Sequence, residues 1–172
     1  SGLRGEVPGN RFDTGIGPSP EELLARLDEV GVVVPPGTMH KYCNLGFILL
    51  GETVARLSGR KYHEYVTDSV LDPLGMSMSG YVPTAAMSAA LAIGYEPDPH
   101  SDRPSVGPHT SLNGRMPAGG LYSTANDLAR WLRLQFRTDR PPDDRDQVVA
   151  GSTVAEMHRP IYTSPAWDTA YC

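Results

Sequence analysis

Lysine is nearly missing from this chain: Lys41 and Lys61 are its only two in 172 residues. Cysteine is as scarce. Cys43 and Cys172 are too few for a disulfide framework, and both are expected as free thiols. No stretch approaches the roughly 18 consecutive apolar residues that a membrane-spanning helix needs, so no membrane span is expected in this segment. Basic charge is in deficit: 15 Lys and Arg against 20 Asp and Glu leave a formal charge of -5. Such a surface offers no field to hold a phosphate backbone, and nucleic acid is excluded as an expected partner. No internal repeat divides the sequence, and its length fits one folding unit.

What is present is an ordinary globular composition, 40% hydrophobic and 20% charged, with many punctuating residues, 18 Gly and 16 Pro. Short elements joined by turns are expected. Ser19-Pro20-Glu21-Glu22 reads as a capping box opening a helix, and Leu23, Leu24, Leu27 and Val30 continue it at helical spacing. Gly31, Pro35, Pro36 and Gly37 bracket an extended run, Val32-Val33-Val34. A helix follows from Asn44 to Ser58, its apolar positions spread over more than one face, so that it is expected to be buried, with Gly59 as its stop. Another, from Tyr62, should end at Asp72-Pro73.

The stretch from Tyr81 to Gly120 is the least regular, with one short strand expected over Leu91 to Tyr95. Thr124-Ala125-Asn126-Asp127 reads as a capping box with Asp in the Glu place, opening a helix through Gln135. A charged, proline-bearing linker is expected over 137–145, then a last helix capped by Ser152 and stopped by Pro160.

Several strings carry a resemblance. The most specific is Pro36-Gly37-Thr38-Met39-His40-Lys41-Tyr42-Cys43-Asn44-Leu45-Gly46, a turn followed by Tyr-x-Asn and a helix. Ser1-Gly2-Leu3, Pro73-Leu74-Gly75-Met76 and Ala118-Gly119-Gly120-Leu121-Tyr122-Ser123-Thr124 accompany it in order. Together they resemble the serine β-lactamase-like hydrolases, which comprise class C β-lactamases, DD-peptidases and esterases of one fold. The resemblance runs from Ser1 to about Pro160 and implies an α+β fold, of which this chain would be the helix-rich central part, one partial domain over 1–172. It implies further that Tyr42 is catalytic, helping to take the proton from a serine nucleophile, and that Asn44 binds substrate. The implied partner is a small-molecule acyl substrate, a β-lactam, a D-Ala-D-Ala peptide or an ester, attacked to give an acyl-enzyme that water releases. Neither a cofactor nor a metal is implied, and the compartment would be periplasmic or secreted.

A phenol titrates near 10, so it serves as a base at neutral pH only where cations stabilise phenolate. In the family these come from a Ser-x-x-Lys helix and from a Lys-Thr-Gly or similar strand. No Lys-Thr-Gly exists here, and no histidine begins a His-x-Gly. Ser58-Gly59-Arg60-Lys61 matches Ser-x-x-Lys, but it falls at a helix end, where the partial charge opposes an alkoxide, and it follows Tyr42 in the chain. Ser111-Leu112-Asn113 copies a Ser-x-Asn variant, yet Asn113-Gly114 is an ordinary turn dipeptide.

Three other readings stand beside this one. His40 and Cys43 with Asp98, His100 and Asp102 offer a weak metal set, and Cys43 with His40 a cysteine nucleophile and base. The third is a non-catalytic scaffold or binding module of the same fold. On the residues alone Tyr42 is a core tyrosine and Asn44 a helix cap. The chain opens on Ser1 without Met and closes on Cys172 without a cap or charged tail, so both ends read as cut and the compartment is left open.

Overall fold

The computed structural model describes residues 2–6, 16–98, 100, 102–107, 109, 111–137 and 148–160, with the backbone alone of 162–164 and 169–171. Six α-helices and two hairpins are found among them. The helices are α1 (Pro20–Leu24), α2 (Asn44–Ser58), α3 (Tyr62–Val66), α4 (Ala85–Ala89), α5 (Ala125–Gln135) and α6 (Gly151–Met157). Strands β1 (Tyr95–Glu96) and β2 (Ser105–Val106) pair antiparallel, as do β3 (Tyr162–Ser164) and β4 (Thr169–Tyr171). This is the expected α+β composition.

Local chemistry accounts for most helix ends. Ser19 accepts from the Glu22 amide at 3.2 Å while the Glu22 carboxylate takes the Ser19 amide at 2.7 Å, a complete capping box. The helix is shorter than its apolar spacing predicts. It stops at Leu24, and Leu27–Glu29 form a 3₁₀ turn tied by a two-pronged Arg26–Glu29 pair at 2.7 and 2.8 Å. Gly59 closes α2 in the left-handed region at φ 68°. Beyond α3 the chain widens into a π turn over Thr67–Leu71 before Pro73 ends it.

Three expectations are corrected, and a fourth falls almost wholly outside the described residues. The strand sits at Tyr95–Glu96, not over Leu91 to Tyr95, because only there does a partner strand, Ser105–Val106, supply hydrogen bonds. Within the irregular third, α4 is capped by Thr84 through the Met87 amide, and Asn113–Ala118 form a 3₁₀ helix. Helix α6 is preceded by Ala150 with no side-chain cap, Ser152 lying inside its first turn. Of the linker over 137–145, only Arg137 is among the described residues.

Helix α2 carries the packing. Leu45 and Ile48 join Leu23 and Cys43 in a buried cluster, flanked by Leu3, Leu27, Val30, Leu49 and Ala118. Fully burying each such side chain is worth about 1.5–3 kcal/mol. One face of α2 is buried, not all of it: Phe47, Leu50 and Leu57 stay exposed. The buried face meets the 3₁₀ helix 113–118, and the close approach requires Gly51. A Cβ there would stand 2.1 Å from Pro117 Cγ. Glycine costs about 1 kcal/mol in a helix interior relative to alanine, yet Gly51→Ala is expected to lower stability by about 1–3 kcal/mol, because the pyrrolidine ring must be displaced. Thermal unfolding of this variant measures the balance.

Candidate functional site

The site is assembled where the extended segment Gly2–Glu6 passes beside the entry to α2. Leu3 bridges Val32, the Arg4 amide donates to Gly31 O at 3.2 Å, and the Leu45 amide donates to Gly5 O at 3.1 Å. These bonds lay Glu6 against the first residue of α2. The Ser1 of the Ser-Gly-Leu string lies outside the described residues.

Cys43 is the hinge of this arrangement. Its backbone is extended, at φ -150° and ψ 92°, and its buried Sγ accepts from the Gly46 amide at 3.3 Å, so that it is the N-cap of α2. The cap expected of Asn44 thus falls one residue earlier, and Asn44 is the first helical residue. Sγ also donates to Arg4 O at 3.5 Å. Cys43 is a free thiol, buried and engaged on both sides, and Cys172 lies outside the described residues. In extended backbone successive side chains alternate. With Cys43 turned inward, Tyr42 turns the other way.

Tyr42 is 72% exposed, and among the described residues its hydroxyl makes no hydrogen bond. It is therefore not the core tyrosine that its residue type alone suggests. Asn44 is half-buried, and its Nδ2 donates to Glu6 Oε1. The second carboxylate oxygen of Glu6 lies 4.0 Å from Nη2 of Arg115, a residue 5% exposed. Burial pulls the Arg115 guanidinium below its ordinary range, and the charge of Glu6 acts against that pull. Glu6 and Arg115 were not legible as site residues: they stand 38 and 71 positions from Asn44, and no local pattern links them. The nearest signals are the Ser-Gly-Leu string just before Glu6 and the Asn113-Gly114 turn just before Arg115.

The other candidates do not converge on Tyr42. Ser58 hydrogen-bonds Ala55 O at 3.3 Å at the carboxyl end of α2, and Lys61 lies 3.9 Å from Glu64. Ser58 and Lys61 are therefore parts of a helix terminus and a surface pair. Asn113 opens the 3₁₀ helix at φ 47°, and its side chain donates to Gly17 O at 3.1 Å, away from Tyr42. Asp98 accepts from the His100 amide at 2.9 Å, a local loop bond. Among the described residues no group of three or more His, Cys, Asp or Glu is placed to hold a metal ion.

Two clefts lie away from Tyr42 and Asn44. One of about 560 Å³ runs along α2 between Glu52, Arg56, Arg60 and Pro117. The other, about 340 Å³, is lined by Tyr81, His109, Leu112, Gly120, Leu121 and Tyr122. His109 stacks on Tyr122 and its Nε2 lies 2.6 Å from the Tyr122 hydroxyl. Near it, burial and the hydrogen bond with Tyr62 at 3.2 Å raise the Tyr81 phenol well above its ordinary range. Gly120, at φ 83°, lies against Leu112 on this wall.

Comparison with known proteins gives one pattern. Residues 1–171 match the Beta-lactamase family. Beta-lactamase-like protein 2 of Dictyostelium discoideum is 30% identical over 173 residues, covering 99% of this chain and 30% of that protein. D-alanyl-D-alanine-carboxypeptidase/endopeptidase AmpH of Escherichia coli K12 is 27% identical over 122 residues, covering 71% of this chain and 30% of that one. Among solved structures, the octameric penicillin-binding protein homologue from Pyrococcus abyssi superposes with a TM-score of 0.69 at 27% identity, over 92% of this chain and 33% of its own. The chain thus spans about a third of the length of these relatives.

Proposed function

Starting from the fact that this chain belongs to the Beta-lactamase family, with hydrolases among its relatives, we propose that it forms one wall of a serine acyl-transfer site. It supplies the Tyr-x-Asn element, Tyr42 as proton acceptor and Asn44 as substrate contact. The observation that carries this reading is the geometry at the mouth of α2. Beside the buried Cys43, Tyr42 is 72% exposed and Asn44 is half-buried at the start of α2. A tyrosine kept for packing would be covered; this one is open to a neighbouring serine.

In the reaction, the serine oxygen attacks the carbonyl carbon of a β-lactam, peptide or ester, and its proton passes to Tyr42. The bond to the leaving nitrogen or oxygen breaks as Tyr42 hands that proton on to it, and water then cleaves the acyl-serine ester. The serine and its activating cation belong to polypeptide beyond this partial domain. Exposed Phe47, Leu50 and Leu57 are surfaces of the kind that further polypeptide covers.

The test uses the complete gene product carrying this segment. Turnover of a chromogenic β-lactam or a p-nitrophenyl ester, with an acyl adduct detected by mass, is the expected result, while the 172-residue chain alone turns over neither. Absence of both turnover and adduct in the complete protein selects the non-catalytic scaffold instead. Turnover by the isolated chain that disappears in Ser58→Ala would overturn the assignment of the nucleophile elsewhere.

A further inference from the structure

The larger cleft has no part in the acyl-transfer reading, yet several elements build it. The start of α1, the length of α2 from Ile48 to Arg56, the start of α3 and the 3₁₀ helix 113–118 converge on a space of about 560 Å³, within the roughly 300–1,000 Å³ of small-molecule sites. Apolar groups of Ile48, Ala55, Met116 and Pro117 line it, together with Tyr62. Tyr62 is held in place, its hydroxyl 3.2 Å from that of Tyr81 and the two rings edge to face at 5.4 Å.

Charge on the walls is divided. In a chain of formal charge -5, Arg56, Arg60 and Lys61 gather on this one cleft. A cation near the carboxyl end of a helix complements its dipole. That accounts for Arg56 in the last turn of α2, but not for Arg60 and Lys61, which follow the Gly59 cap. The carboxylates that pair with these two stand outside the lining: Asp68 accepts from Arg60 Nη2, and Glu64 lies 3.9 Å from Lys61. The two carboxylates inside it lie toward Arg56. Glu52 accepts from Arg56 Nε at 3.0 Å, and Glu21 is held below the usual carboxylate range by its backbone amide, by Ser19 and then by the charge of Arg56. Donors are left over. Arg56 bonds through Nε alone and Arg60 through Nη2 alone, so that both Nη groups of Arg56, and Nε and Nη1 of Arg60, make no hydrogen bond among the described residues.

We propose that this cleft binds a phosphate monoester, its phosphate among Arg56, Arg60 and Lys61 and its uncharged body on Met116 and Pro117. Phosphate fits better than carboxylate because it brings three acceptor oxygens and close to two charges at neutral pH to three separate cations, and a guanidinium fork matches its oxygens in pairs. A second anionic group on the ligand is disfavoured, since it would meet Glu21 and Glu52. The site is independent of Tyr42 and of acyl transfer.

The test is calorimetric titration of the complete gene product carrying this segment with phenyl phosphate, with benzoate and inorganic phosphate as comparison ligands. Saturable binding of phenyl phosphate is expected, about tenfold tighter than that of either comparison ligand. Arg56→Gln and Arg60→Gln, both at exposed side chains, should each weaken it about fivefold, as should Lys61→Glu, while Tyr42→Phe leaves it within about twofold. Lys61 is 75% exposed, so its replacement leaves the fold intact and a loss there reports the ligand contact. No saturable binding, unchanged affinity in Lys61→Glu, or a loss confined to Tyr42→Phe would overturn the site. Benzoate binding as tightly would overturn phosphate as the group recognised, and inorganic phosphate binding as tightly would overturn the apolar lining as part of the site. These outcomes read the same whether or not the complete protein turns over any acyl substrate, so the cleft and the acyl-transfer reading stand or fall separately.

Discussion

Replacing Tyr42 with phenylalanine in the complete gene product is expected to lower kcat on both β-lactam and ester substrates by about 10²- to 10⁴-fold, the range for loss of a positioned proton acceptor. The melting temperature should barely move. The phenol is 72% exposed and makes no hydrogen bond among the described residues, so removing its oxygen strands no partner. Surface substitutions of this kind stay within about 0.5 kcal/mol. The combination is what distinguishes the role: an activity loss matched by a stability loss would mark Tyr42 as structural, and retained activity would end its assignment as the proton acceptor. The same substitution should also suppress the acyl adduct, because proton removal from the serine precedes the first covalent step.

The second large effect concerns stability. Asp127 is 2% exposed and its carboxylate joins three groups. Oδ2 accepts from the Met78 amide and from the Ser79 hydroxyl, both at 2.8 Å, and Oδ1 accepts from Arg130 at 2.6 Å. Ser79 in turn meets Ser123 at 2.8 Å. This network fastens the Met76–Gly80 turn to the start of α5, beside the Gly80–Tyr122 bridge. Asp127→Ala leaves the Met78 amide and the Ser79 hydroxyl without their acceptor, at about 1–3 kcal/mol each. For a chain of this length the result is a melting temperature roughly 10 °C lower. Asp127→Asn should recover most of the loss, since one oxygen serves both inner donors, while Arg130 is 45% exposed and can turn to water. Equal melting of the wild type and Asp127→Ala would show that the network carries no stability.

Asp127 also shows where reading along the chain stops working. Thr124 and Asp127 have the spacing of a capping box, and half of one forms: the Thr124 hydroxyl accepts from the Asp127 amide at 3.3 Å. The reciprocal bond is missing because the carboxylate is drawn to Met78 and Ser79, nearly 50 positions earlier. A short side chain with a choice between a local backbone amide and two buried donors takes the donors that water cannot reach. The helix cap likewise sits at Cys43, whose Sγ accepts from the Gly46 amide, while Asn44 is the first helical residue and its Nδ2 turns to Glu6. Apolar spacing misled on α2 for a related reason. Leu50 and Leu57 fit a buried helix, but burial depends on what lies opposite, and within the described residues only the face of Leu45, Ile48 and Gly51 meets a partner.

By itself the sequence determined what depends on near neighbours: the capping box at Ser19, the glycine stop at Gly59, and the start of a helix directly after Tyr42 and Cys43. These follow from backbone geometry within a few residues, which spacing alone encodes. Only the tertiary structure decided which atoms those side chains face. Glu6 reaches Asn44, and Arg115 comes within 4.0 Å of Glu6, because the segment Gly2–Glu6 pairs beside α2 and the 3₁₀ helix packs on it, and side-chain hydrogen bonds act over about 3 Å regardless of distance along the chain.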